Sequence, residues 1–134
     1  MATMLAQLLF FLASAQDASN RLTGGGWREW TLHRFEMTMG ASGACKAGSV
    51  YRFSADHKVA IRECRDGHIV TTDADWNVST EGNADTFLTI GGRRYHLFFK
   101  SENGVESMRL EIRPETKEPI QDYDFRLTKN GTGK

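Results

Sequence analysis

From Trp27 onward, apolar and polar residues alternate with a period of two. Tyr51 and Phe53 share one face, with Arg52 and Ser54 opposite; Val59 and Ile61 alternate with Ala60 and Arg62; Trp76 and Val78 flank Asn77; Leu88 and Ile90 flank Thr89. Tyr95, Leu97 and Phe99 then alternate with His96, Phe98 and Lys100, and Met108, Leu110 and Ile112 with Arg109, Glu111 and Arg113. Tyr123, Phe125 and Leu127 close the series against Asp124 and Arg126. This period predicts half-buried β-strands, each with one apolar and one solvated face. Between the runs lie Asp66-Gly67, Gly91-Gly92 and Asn103-Gly104, pairs that supply the positive φ angles of tight hairpin turns. Softer turns fall at Ala55-Asp56-His57 and Glu81-Gly82-Asn83, and a longer connection runs from Pro114 to Pro119. With a first strand at about Trp27 to Met37, eight strands follow in order, mostly joined by short hairpins. That arrangement predicts an all-β, eight-stranded antiparallel up-and-down barrel, whose closure removes exposed strand edges.

Residues 1–15 obey a different pattern. Met4 to Leu12 reads MLAQLLFFL, and Ala13-Ser14-Ala15 precedes Gln16-Asp17. A short apolar run followed by small-x-small is the pattern of an export signal cut after Ala15, and it is too short to span a bilayer as a permanent helix. Cleavage would leave residues 16–134 as a single barrel domain, secreted or periplasmic, with no stable membrane anchor. The competing reading retains the segment in a cytoplasmic protein. Met4, Leu5, Leu8, Phe11, Leu12 and Ala15 follow helical spacing and would cover one end of the barrel.

Composition sharpens the picture without naming an activity. The chain has 134 residues, 17 basic and 17 acidic, and a formal charge of zero. One domain of ordinary globular composition follows, and a nucleic-acid surface is disfavoured for want of excess positive charge. Cys45 and Cys64 are the two cysteines and form no CxxC motif. They flank the hairpin around Asp56, so one reading joins them as a disulfide in an oxidising compartment, and the other leaves two buried thiols.

Two readings of the inward face stay open. Trp30, Tyr51, Phe53, Trp76, Tyr95, Phe99, Met108 and Tyr123, with Leu88, Leu97, Leu110 and Phe125, would line a cavity for a small hydrophobic or amphipathic ligand. They would equally fill the barrel as an ordinary core, since each aromatic buries about 150–250 Å². The hydroxyls of Tyr51, Tyr95 and Tyr123 need partners if buried and would orient a ligand's polar end. His33, His57, His68 and His96 are dispersed, and the Asp66, His68, Asp73, Asp75 group reads as a solvated hairpin, so neither a metal nor a cofactor is assigned. No serine elbow or phosphate loop occurs, and no catalytic residue is assigned. Phe98, on the polar face beside Arg93 and Arg94, is where a protein partner would dock if the core is filled.

Several short motifs together resemble the lipocalin-like barrels of the calycin group, small bacterial members in particular. They are Gly25-Gly26-Trp27 at the first strand, the glycine-rich Thr38–Ala47 loop, Cys45…Tyr51-Arg52-Phe53…Cys64, Asp75-Trp76-Asn77-Val78, and the final Asp122–Leu127 strand. The resemblance spans residues 22–129. It implies a binding protein rather than an enzyme, with a cysteine pair flanking the second and third strands and residues 38–47 as a lid tied down by a Cys45–Cys64 bond. It also implies a late arginine packed over the first-strand tryptophan, a part that would fall to Arg126 over Trp27. The alternation instead sends Arg126 to the face opposite Phe125 and Leu127.

Overall fold

A computed structural model describes residues 15–37, 48–65, 67–81, 85–112 and 121–132. Eight strands run in order: β1 (Trp27–Met37), β2 (Val50–Ser54), β3 (Lys58–Arg65), β4 (His68–Glu81), β5 (Asp85–Ile90), β6 (Arg93–Glu102), β7 (Val105–Ile112) and β8 (Gln121–Gly131). Each pairs antiparallel with its sequence neighbours, and β8 returns to β1, so the sheet closes into the expected up-and-down barrel. The turns form where the glycine pairs lie. Asn103 and Gly104 both take positive φ, as a type I′ turn requires, whereas only Gly91 of the Gly91-Gly92 pair does, as in type II′.

β4 is longer than the Trp76–Val78 alternation alone suggests. Its first half pairs with β3, from His68 opposite Arg65 to Asp75 opposite Lys58, and its second half pairs with β5, from Trp76 to Glu81. The β-branched run Ile69-Val70-Thr71-Thr72 favours this extension. The β1–β8 seam carries two irregularities. His33 has no β8 counterpart between the Leu32–Phe125 and Arg34–Asp124 pairs, and Thr128 is the extra residue on β8. The Thr128 hydroxyl lies 2.9 Å from that of Thr31, so the displaced residue remains hydrogen-bonded.

Residues 15–23 form a helix, α1, in a segment that the strand periodicity leaves unassigned. Residues 1–14, on which the export and retained-helix readings rest, lie outside the described residues. α1 turns Ala18 and Leu22 inward at helical spacing, and Leu22 is fully buried. It stops at Gly24, which takes φ +62° and donates its N–H to the Asn20 carbonyl at 2.6 Å. The chain then enters β1 through Gly26, where a Cβ would come within 2.3 Å of the Gly131 carbonyl oxygen. Among the described residues, no helix is long and apolar enough to cross a membrane.

α1 seals one end of the barrel. Trp30, Phe53, Leu88, Leu97, Met108, Leu110 and Phe125 form the core beside Leu22. The Trp30 indole donates to the Leu22 carbonyl at 3.0 Å, and the Trp76 indole donates to the Ser54 carbonyl at 3.0 Å. Both buried tryptophans thus satisfy their one polar atom. The Arg28 guanidinium donates to the Arg21 carbonyl at 2.9 Å, and the Arg21 guanidinium lies 4.6 Å from the centre of the Phe99 ring. Glu106 sits between the two arginines, at 3.8 Å from Arg21 and 3.7 Å from Arg28.

Candidate functional site

Among the described residues, the opposite end carries no covering helix and is built differently. A cavity of about 340 Å³ is lined by Leu32 of β1, Ser49 and Tyr51 beside and in β2, Ile61, Glu63, Cys64 and Arg65 of β3, Thr72 of β4, Arg93 and Tyr95 of β6, and Tyr123 of β8. This volume is at the small end of the range typical of small-molecule sites, about 300–1,000 Å³. Its floor is the top of the aromatic core, where Tyr51 meets Phe125 edge-on at 4.9 Å. Its wall holds Tyr95 and Tyr123, their rings perpendicular at 6.2 Å.

The phenols occupy an apolar setting with a few charges at the rim. Burial is the main reason that the Tyr51, Tyr95 and Tyr123 hydroxyls all ionise above the usual tyrosine range. Glu63 pushes each in the same direction, and Arg93 opposes it. Tyr123 donates to the Gln121 side-chain oxygen at 2.8 Å. Glu63 accepts from Arg65 through Nε at 2.9 Å and a terminal nitrogen at 2.5 Å, so its charge is already engaged. Arg93 lines the cavity beside Tyr95, two residues along β6. Neutral phenols beside an arginine can donate to and orient an acceptor; among the described residues lining this cavity, none form a nucleophile–base pair.

The eight residues expected to line a cavity divide into two groups. Tyr51, Tyr95 and Tyr123 come together at the mouth. Trp30, Phe53, Trp76 and Met108 are at most 3% exposed and belong to the packed core. Phe99 is half-buried near the α1 end, with its ring 6.0 Å from that of Trp30. The hollow and filled readings therefore each describe part of the barrel.

Arg93, Glu63 and Thr72 at the mouth were not anticipated, although the signal was available. Arg93 keeps the phase of Tyr95 and Leu97, and Glu63 keeps that of Val59 and Ile61. Charged residues on an inward phase near a strand end mark where the interior meets water. The grouping of Arg93 with Arg94 on the outer face is corrected accordingly: Arg93 lines the mouth, while Arg94 stacks outside at 3.6 Å over Phe87.

Outside the barrel, Arg94 and Phe87 begin a column of planar groups. The Phe87 and His96 rings stack at 4.8 Å, and His96 and Phe98 at 4.6 Å. Phe98 is 42% exposed and borders a groove of about 700 Å³ with His33, Lys100, Arg109 and Arg126. Arg126 is exposed on this wall and does not cover Trp27. The Arg52 guanidinium of β2 does so, 4.1 Å from the ring centre, because β1–β2 pairing brings Arg52 diagonally beside Trp27.

Among the described residues, no three His, Cys, Asp or Glu side chains form a group able to hold a metal. Asp66 lies outside those residues, His57 stacks on Trp76 at 4.6 Å, and Asp75 pairs with Lys58. Cys64 is half-buried at the mouth; Cys45 and the 38–47 loop lie outside the described residues. No protein-family model, no curated protein and no solved structure matches this chain.

Proposed function

We propose that this chain is an exported, lipocalin-like binding protein that takes a small amphipathic ligand in the mouth of its barrel. The carrying observation is the cavity of about 340 Å³ in which three tyrosines converge above a closed aromatic floor. Apolar burial provides the binding free energy, at about 25 cal/mol per Å² removed from water, and the phenols fix orientation. The N-terminal apolar run supports export, and the lack of free cysteine among the described residues supports a Cys45–Cys64 disulfide beside the cavity. No catalytic step is part of this reading.

Native mass spectrometry of the protein purified from its natural host tests it. A discrete small-molecule mass released on denaturation is the expected result. A bare protein mass, with no uptake from a panel of amphipathic compounds, overturns the reading. A second reading, a protein-docking barrel, is favoured by one observation: the exposed Phe98 at the end of the stacked column. Capture of a partner through Phe98, lost in Phe98→Ser while the mouth binds nothing, is the result that selects it.

A further inference from the structure

We infer that the mouth selects compact organic carboxylates with an aromatic or short apolar body, the carboxylate being taken by the Arg93 guanidinium beside the tyrosine hydroxyls. This rests on the mouth being the ligand site. Among the described residues, the charges lining it are Arg65, Arg93 and Glu63. Arg65 and Glu63 neutralise each other through two short hydrogen bonds. Among the described residues, no ion pair engages Arg93, which lines the cavity on the same face of β6 as Tyr95. A guanidinium held at the edge of a low-dielectric pocket and offering a planar fork of donors matches a carboxylate in shape and charge.

Placement of that fork follows from the fold. Arg93 is the first residue of β6, paired with Ile90 across the Gly91-Gly92 turn, so the hairpin sets it at the rim on the same phase as Tyr95. Tyr51 and Tyr123 line the same cavity as Arg93 and Tyr95. The Tyr51 and Tyr95 hydroxyls stay protonated and can donate to the same anion, while the Tyr123 hydroxyl donates to Gln121.

Size is limited from below. A long acyl chain would have to pass Tyr51 and Phe125 into a space occupied by Trp30, Phe53 and Met108, each at most 1% exposed. Interiors packed in this way lack voids for additional methylenes. The body of the ligand must therefore end at the tyrosine layer.

Calorimetric titration with benzoate, phenylacetate and their neutral amides, with palmitate as competitor, tests the inference. The wild type should bind each acid about tenfold or more tighter than its amide, the range expected of a charge-assisted hydrogen bond. Arg93→Gln should bring acid and amide to within about twofold, and Arg93→Lys should restore part of the preference. Retained amide binding in Arg93→Gln shows that the mouth is still folded. Equal binding of acid and amide by the wild type, or an acid preference that survives Arg93→Gln, overturns the carboxylate assignment while leaving the mouth as a binding site. Palmitate competing as strongly as phenylacetate overturns the size limit. Failure of the wild type to bind any acid or amide overturns the mouth reading itself, and the inference with it.

Discussion

The two ends of this barrel are built from the same strands with the same alternation, yet they do different work. At the α1 end the inward positions are Trp30, Phe53, Leu97 and Met108, with Leu22 inserted from the helix. At the mouth the same inward phase carries Tyr51, Glu63, Thr72, Arg93, Tyr95 and Tyr123. At the sealed end the buried Trp30 indole is satisfied within the protein by the Leu22 carbonyl. At the mouth the phenols and Arg93 face a space that another molecule can enter. The closed half supplies stability, and the open half is thereby free to carry groups that a packed core would exclude.

The largest effect should come from the closed end. Trp30→Ala removes a fully buried indole and its hydrogen bond, and should cost about 3–5 kcal/mol in urea unfolding. Leu22→Ala should cost about 2–5 kcal/mol, because α1 loses the one side chain it buries completely. A loss below 1 kcal/mol for both would mean that the helix does not seal the barrel. Tyr95→Phe at the mouth should stay within about 1 kcal/mol of wild type. Equal losses at the two ends would erase the distinction.

Alkaline pH should strike the mouth next. The three tyrosines at the mouth are the only ones in the chain, and burial raises each above its unfolded pKa of about 10. The folded state then keeps protons that the unfolded chain releases. Stability is unaffected by these groups below pH 10 and falls as pH rises beyond it. Phenolate absorbance should lag that of the denatured chain and rise together with unfolding. Ordinary titration of all three phenols in the folded protein would show that the mouth is wetter than described.

A smaller effect separates the charges within the mouth. Glu63→Gln removes the acidic group among the described lining residues and releases Arg65, so benzoate affinity should rise about two- to fivefold, with little change for benzamide. A fall would mean that Glu63 holds the ligand. Smallest of all, Phe98→Ser on the outer wall should change stability by about 0.5 kcal/mol and leave benzoate binding unchanged.

Much of the barrel was readable from period-two alternation and glycine turn pairs, because an antiparallel meander writes its geometry locally. α1 was not, since only Ala18 and Leu22 are apolar and buried on its inward side and, Ala15 aside, the remainder is polar. The partner of Trp27 was also hidden. Arg52 and Arg126 are both polar-phase residues, and only the register of β1 against β2 decides between them. The site was half readable. The tyrosines stood out as inward polar groups, but dividing the eight lining residues between core and mouth needs the height of each along the barrel axis, which strand tilt and stagger set and alternation does not encode.

The division of the barrel is tested most directly by an aromatic and side-chain NMR titration of the folded protein with benzoate. Saturable shifts at Tyr51, Tyr95, Tyr123 and the Arg93 guanidinium, with the Trp30 indole N–H resonance unmoved, are the predicted result. Saturable shifts centred on Trp30 and Phe53, or on Phe98 outside the wall, would contradict the account.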